Sequence, residues 1–313
     1  MKQYDIGGSK PQKEKEQKPS KGRLSYDLNA ISQEQNQQAE EDAEKQEKVK
    51  KIIKISSIAA AILIPCIIFG SVMYNGYIKT EQAYDQVERE YTDLAMSYVT
   101  EYEAGAETAE DIDVNMGKSV DFTALAKQEK DIYAWITIPD TSVDYPILQS
   151  GDEKNDEDYW LNHNLDGSTG YPGTIFTERM FGKDFKTFNT VIYGHNMKNQ
   201  TMFGGLHNYE HEDYFNEHPY VYVYTPQMTY KYQVVCAATI SDAHLAVAYN
   251  GYKTESQRQQ FLNYLLSNSV TMSDIETGIY DNYITLSTCT NSDVQRFVVL
   301  AKCVDKMSSS DYD

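Results

Sequence analysis

The 313-residue chain carries 28 Lys and Arg against 47 Asp and Glu, a formal charge of −19 at pH 7. Acidity on this scale argues against direct binding of nucleic acid or of any other polyanion. Of its 4 cysteines one lies in a long apolar run, and the odd number left elsewhere excludes a fully closed disulfide framework.

Residues 1–54 are rich in Lys, Glu, Gln and Ser with few large apolar side chains, a composition that predicts a disordered tail. They hold 12 basic and 10 acidic residues, net +2, so residues 75–313 carry −21. Between them, Ile55 to Tyr74 is a run of 20 residues without a charged side chain. As a helix it spans about 30 Å, the thickness of a bilayer's hydrocarbon core. A cleaved signal peptide has an apolar core of about 7–15 residues near the N-terminus and a small-residue cleavage site. This run is longer, starts past residue 50 and ends in Tyr74-Asn75, so it predicts a retained transmembrane helix over 55–74. Lys45, Lys48, Lys50, Lys51 and Lys54 crowd its N-terminal side, with Lys79 the nearby cation on the other. The positive flank stays in the cytoplasm, which puts the N-terminus inside the cell membrane and the rest of this single-pass chain outside. Pro65 at mid-span is tolerable because a membrane helix can re-satisfy one freed carbonyl.

In residues 75–118, Tyr84, Val87, Tyr91, Leu94 and Tyr98 recur at helical spacing and form one apolar face, predicting a juxtamembrane helix that ends near Gly105. The run is too short for a coiled coil, so the face packs on the chain's own domain or forms a stalk. An acidic linker, Ala104 to Lys118, follows. From residue 119 the signals are mainly β. Short strands are expected at Ala134–Pro139, Val143–Ile147, Gly173–Phe176, Thr190–Tyr193, Tyr220–Tyr224, Tyr230–Ile240, Tyr283–Thr288 and Phe297–Val304. Short strands with turns between them argue a β-barrel or sandwich. Two helical insertions interrupt them: Met202 to Tyr214, and a helix entered by a capping box of Thr254 and Gln257.

Two distant stretches read as one site. Tyr193-Gly194-His195-Asn196-Met197 follows one strand; Thr285-Leu286-Ser287-Thr288-Cys289 ends another, and Arg296 opens the next. A thiol near an imidazole is a candidate nucleophile, since the imidazole can take its proton or pair with the thiolate. An arginine beside them offers fixed donors to a developing oxyanion. Together they point to acyl transfer. Gly194, without a side chain, would let a peptide approach His195 closely. Cys236 and Cys303 sit in strand-like runs and read as buried small apolar residues, with a bridge between them as the alternative. His207, His211 and His218 lie among acidic residues, but the spacing is not His-Glu-x-x-His, and a solvated helix face is expected rather than a metal site.

Thr-Leu-Ser-Thr-Cys followed by Arg-Phe-Val-Val, with Gly-His upstream, resembles the signature of the sortases, membrane-anchored cysteine transpeptidases of Gram-positive bacteria. The resemblance covers roughly Val120 to Val304. Gly194-His195-Asn196-Met197, Met202-Phe203 with Leu206 and Tyr209, and the insertion before the cysteine strand are similar to class B. The step from Cys289 to Arg296, seven positions along the chain, departs from that class in being short. The resemblance implies a closed eight-stranded barrel with helical insertions, filling a catalytic domain over 119–313. It implies that Cys289 attacks a Thr–Gly-type bond in the sorting signal of a surface protein to give a thioester. His195 would then act as acid and base, and Arg296 as oxyanion or peptide ligand. Thr288, Ser287, Tyr193 and Leu161 match substrate-contact positions, and the insertion between Ser241 and Asp281 is assigned to recognition of the sorting peptide. No metal or other cofactor is called for. The acceptor would be a peptidoglycan precursor or stem-peptide amine. Two other functions stay open: a pilin-polymerising sortase with a lysine acceptor, and a non-catalytic, membrane-tethered barrel that binds peptide or wall.

Overall fold

The computed structural model describes residues 28–101, 113–151, 154, 156–242, 252–290 and 294–309. It divides into two compact units, one ending at Gly76 and one beginning at Tyr77.

The first unit lies within α1 (Leu28–Tyr98), which contains Pro65. Over Leu28–Lys54 the structure differs from the disordered tail expected from composition. That stretch has neither Gly nor Pro, and Glu44–Lys48 (2.7 Å), Glu47–Lys51 (2.9 Å) and Glu41–Lys45 (3.9 Å) pair one turn apart. Such pairs each stabilise a helix by about 0.2–0.5 kcal/mol. Beyond it, Ile55, Ile58, Ile62, Ile64, Ile67, Phe69 and Val72 are all exposed. A helix that is apolar all round needs an apolar surrounding. This one is long and apolar enough to cross a membrane.

The second unit begins with the last turns of α1. Tyr91 is buried in the main core, and Tyr84, Val87 and Leu94 pack against it, so this face covers its own domain. The helix stops at Tyr98 rather than near Gly105, because β1 (Val99–Thr100) pairs antiparallel with β2 (Ser119–Val120). Residues 102–112, most of the expected acidic linker, lie outside the described residues. α2 (Phe122–Gln128) is capped by Asp121, whose carboxylate accepts from the Ala124 amide at 2.8 Å.

The barrel strands are β3 (Ile132–Thr137), β4 (Asp144–Leu148), β5 (Ile175–Phe176), β6 (Asn189–Tyr193), β7 (Tyr220–Tyr224), β8 (Met228–Ser241), β10 (Tyr283–Cys289) and β11 (Gln295–Ser308). Hydrogen-bonded order runs β11-β10-β6-β5-β4-β3-β7-β8, and β11 pairs back onto β8, which closes eight strands. β9 (Ser269–Met272) adds outside the circuit on β8. Each of the eight expected strands is present; β9, four residues long with Val270 and Met272 exposed, lacked an alternating apolar signal. The Met202–Tyr214 insertion is a 3₁₀ helix, Gly204–Glu210, followed by α3 (Glu212–Glu217). α4 (Glu255–Ser267) carries the expected capping box, with Thr254 and Gln257 exchanging both bonds. Residues 243–251 of the insertion before the cysteine strand lie outside the described residues.

Alternation along the strands divides the core. Ile136, Ile147, Ile192, Val223, Ile284, Leu286, Phe297 and Val299 fill the barrel interior. Their neighbours Val191, Cys236, Ala238, Ile240, Val298 and Leu300 face outward and are covered by Phe261, Leu262 and Leu265 of α4. The middle parts of β8, β10 and β11 are therefore buried on both faces, which is why residues 234–238 and 297–301 read as continuous apolar runs. Cys236 is a free thiol in this second layer, and burial pushes it up to about 12; Cys303 is also free and half-buried.

Leu286 has no exposed surface and stands in the middle of β10. Leu286→Ala should lower the unfolding free energy by about 2–5 kcal/mol. Denaturant titration of the full-length chain, followed by fluorescence of the two buried tryptophans, measures it; a loss under about 1 kcal/mol would contradict the packing described.

Candidate active site

Strand register brings the three candidate residues to one end of the barrel. β6 and β10 run parallel, with Tyr193 opposite Ser287. His195 and Cys289 each lie two residues beyond that rung, so both chains leave the pair in the same direction. Adjacent strands are about 4.7–4.9 Å apart. β10 and β11 are antiparallel, and their last rung sets Cys289 opposite Arg296. The Cys289 side chain lies outside the described part of the structure; its backbone is the final residue of β10. The Gly194 amide donates to the Ser287 carbonyl at 3.1 Å and ties the histidine turn to the cysteine strand.

Gly194 serves a different purpose from the one the sequence suggested. A Cβ there would meet Ile175 Cδ1 at 2.5 Å and the Phe203 ring at 2.7 Å. The missing side chain admits the core beneath His195 and does not open a path for peptide. His195 itself is 8% exposed; its Nε2 lies 2.6 Å from the Leu161 carbonyl oxygen and the Tyr171 ring sits 4.7 Å away. Arg296 is held from the far side. Its Nε lies 3.4 Å from Asp242 Oδ1 and its Nη2 donates to Asp242 Oδ2 at 3.5 Å, while Nη1 donates to the Gln295 carbonyl at 3.1 Å.

The candidate substrate contacts divide. Tyr193 is half-buried and stacks on Phe176 at 5.3 Å. Ser287 and Thr288 are only 1% and 2% exposed, and their hydroxyls have no hydrogen-bond partner among the described residues. An unpaired buried hydroxyl costs about 1–3 kcal/mol, so the two beside Cys289 are a cost carried at this end of β10. A bound peptide reaches them only if they are uncovered. Leu161 offers its carbonyl to His195, and its side chain packs in a separate core cluster.

Of the three histidines expected on a solvated helix face, His211 is exposed, whereas His207 and His218 have partners. His207 stacks on Phe297 at 4.5 Å, its Nε2 lies 3.2 Å from Asn196 Nδ2, and its Nδ1 is 3.7 Å from Glu210. His218 Nδ1 lies 3.2 Å from the Pro139 carbonyl. Among the described residues no cluster of three His, Cys, Asp or Glu is arranged to hold a metal.

A family model for the sortase domain matches residues 136–304. The chain belongs to the sortase family. Sortase B of Listeria monocytogenes is 35% identical over 186 residues, covering 58% of this chain and 73% of that protein. The X-ray structure of Clostridium perfringens sortase B superposes with a TM-score of 0.53 at 27% identity, covering 58% of this chain and 99% of that one. A Staphylococcus aureus sortase B–substrate complex superposes with a TM-score of 0.55 at 25% identity, covering 72% and 97%. Its relatives are thus class B sortases, and the chain is a sortase enzyme of the transpeptidase type.

In this sortase, Asp242 is the residue that motif reading missed. It follows β8, whose Ile240 pairs with Arg296, and its amide donates to the Val294 carbonyl at 3.0 Å. Nothing in Ser241-Asp242 as a sequence signals this; only the β8–β11 register does. Asp158 faces the same side, and burial first, then Asp156, Glu157 and Asp242, push its carboxyl above the ordinary value.

Electrostatics at His195 favour the neutral ring. Burial lowers its basicity below the ordinary 6.5, while the bond to the Leu161 carbonyl works in the opposite direction. Because the folded form binds its proton less readily than the unfolded chain, this group's contribution to stability is complete above about pH 6.5. It is lost as pH falls through the folded value. An NMR titration of His195 in the full-length chain should give a midpoint below 6.5. Tyr171→Ala, which opens the ring to water, should move it upward. A midpoint at or above the ordinary value in the unmodified chain would refute the burial account.

Proposed function

We propose that this sortase is a membrane-anchored class B enzyme that cleaves a C-terminal sorting signal of secreted surface proteins and transfers the acyl group to a cell-wall amine. Cys289 attacks the scissile carbonyl and forms the thioester. His195 protonates the departing amine and then deprotonates the incoming one. Arg296, oriented by Asp242, stabilises the tetrahedral oxyanion or positions the peptide. Tyr193 contacts the bound peptide, Ser287 and Thr288 do so once uncovered, and Leu161 acts through its carbonyl on His195. The observation that carries this reading is the shared strand end: Cys289 opposite Arg296, with His195 leaving the neighbouring parallel strand at the same level.

The organisation we infer follows from the apolar helix and its charged flanks. Residues 1–54 stay in the cytoplasm, 55–74 span the membrane, 75–118 join the two sides, and 119–313 form the catalytic domain outside. The lysines before the span and their scarcity after it support this orientation.

Two substitutions test the chemistry. Cys289→Ala should abolish cleavage of a sorting peptide while leaving the thermal transition in place, whereas Cys236→Ala, in the covered second layer, should leave cleavage intact. Comparable turnover by Cys289→Ala would end the thioester reading. Arg296→Lys keeps the charge but loses the planar fork of donors, and should cost about 10²–10³ in kcat, the usual loss for one oxyanion donor. If the lysine variant keeps most of its activity, the arginine acts only as a diffuse positive charge.

A further inference from the structure

The 2.6 Å contact between His195 Nε2 and the Leu161 carbonyl has a consequence for the ring. A carbonyl oxygen only accepts, so Nε2 carries a hydrogen in both the neutral and the charged ring. The nitrogen whose protonation changes is then Nδ1.

That carbonyl is itself braced. Leu161 ends the 3₁₀ turn Tyr159–Leu161, and its amide donates to the Asp158 carbonyl at 2.9 Å. The Thr174 amide and hydroxyl both donate to the preceding Trp160 carbonyl, at 3.1 and 3.2 Å. Gly173 lies directly against the Leu161 carbonyl. Its φ is +64°, and a Cβ would come within 2.4 Å of the Leu161 oxygen and 3.1 Å of its carbonyl carbon. The Gly173 amide donates to Asn164 Oδ1 at 3.0 Å, and its carbonyl accepts from the Tyr91 hydroxyl at 3.3 Å. Tyr91 is buried on the juxtamembrane part of α1. A line of contacts therefore runs from Tyr91 through Gly173 and the Leu161 carbonyl to the imidazole.

We propose that the Leu161 carbonyl, braced by Gly173 and Tyr91, fixes a hydrogen on His195 Nε2 and makes Nδ1 the nitrogen that exchanges protons during acyl transfer. Leu161, Gly173 and Tyr91 are positioning residues; the proposal rests on the acid–base role given to His195 above. In the first half-reaction the S–H bond of Cys289 breaks and its proton passes to Nδ1. The S–C bond forms, and the C–N bond breaks as that proton moves to the leaving nitrogen. In the second half-reaction Nδ1 takes a proton from the incoming amine, the N–C bond forms, the S–C bond breaks, and the proton returns to sulfur.

Selective ¹⁵N labelling of histidine in the full-length chain, in detergent micelles, reads the tautomer directly. Neutral His195 should show a protonated Nε2 and a bare Nδ1; the reverse pattern overturns the proposal. Gly173→Ala displaces the Leu161 carbonyl and should erase the single-tautomer signature. It should also lower kcat for peptide cleavage by at least about tenfold, within the 10²–10⁴ that a positioned acid–base group contributes, with a smaller change in KM. A folded Gly173→Ala chain with unchanged signature and kcat refutes the brace. Should that variant fail to fold, Tyr91→Phe removes only a hydroxyl. It should shift the His195 nitrogens and cost about two- to tenfold in kcat, the range of one neutral hydrogen bond; no change in either also refutes it. His195→Ala separates the two readings. If it cleaves normally, the acid–base role fails; if it is inactive while the wild-type ring carries its proton on Nδ1, only the present proposal fails.

Discussion

The rung that pairs Cys289 with Arg296 is the constraint on which the rest of the site depends. Backbone hydrogen bonds of an antiparallel ladder fix it, and it needs no contact between the two side chains to exist. Everything else at this end of the barrel is arranged around that rung. β6 lies parallel on one side of β10 and delivers Gly194 and His195. β8 lies on the other side of β11 and delivers Asp242 to the arginine. A site assembled from strand ends inherits the stiffness of the sheet beneath it, and here that sheet is buried on both faces by the barrel interior and α4. Rigidity of this kind fixes the backbone beneath the reacting groups, while Asp242 on Arg296 and the Leu161 carbonyl on His195 hold the side chains.

Burial at the site carries a cost in polar groups. Ser287 and Thr288 lie under the surface with hydroxyls that have no partner among the described residues, and His195 is kept largely from water. The same burial that disfavours the charged imidazole also strengthens each remaining hydrogen bond near it. The Leu161 carbonyl thus matters more here than it would on an exposed loop. Tyr171, exposed and lying over the ring, stands between His195 and solvent.

Much of this was legible in the sequence because it depends on local patterns. The barrel strands announce themselves by short runs rich in β-branched and aromatic residues, the α4 cap by Thr254 and Gln257, and the candidate site by Gly-His, Thr-Cys and Arg at strand ends. What escaped reading depends on register and on long-range packing. Asp242 is one carboxylate among 47 acidic residues until β8 pairs with β11. Gly194 looked like a gap for substrate until Phe203, nine residues later, filled it. His207 looked like part of a polar helix face because helical spacing cannot show that Phe297 would stack on it. The tail before the apolar segment was read from its lack of apolar residues, yet between Glu41 and Lys51 the charged residues are spaced to pair one turn apart, which favours helix.

Six residues lie between Cys289 and Arg296. Because these two residues face each other on a ladder rung, residues can be added to or removed from the turn between them without changing their separation. An insertion inside either strand is different, since a shift of one residue sends every later side chain to the opposite face. A change in length is therefore tolerated in the connection and not inside the strands. The connection can change while the rung that pairs the two residues stays fixed.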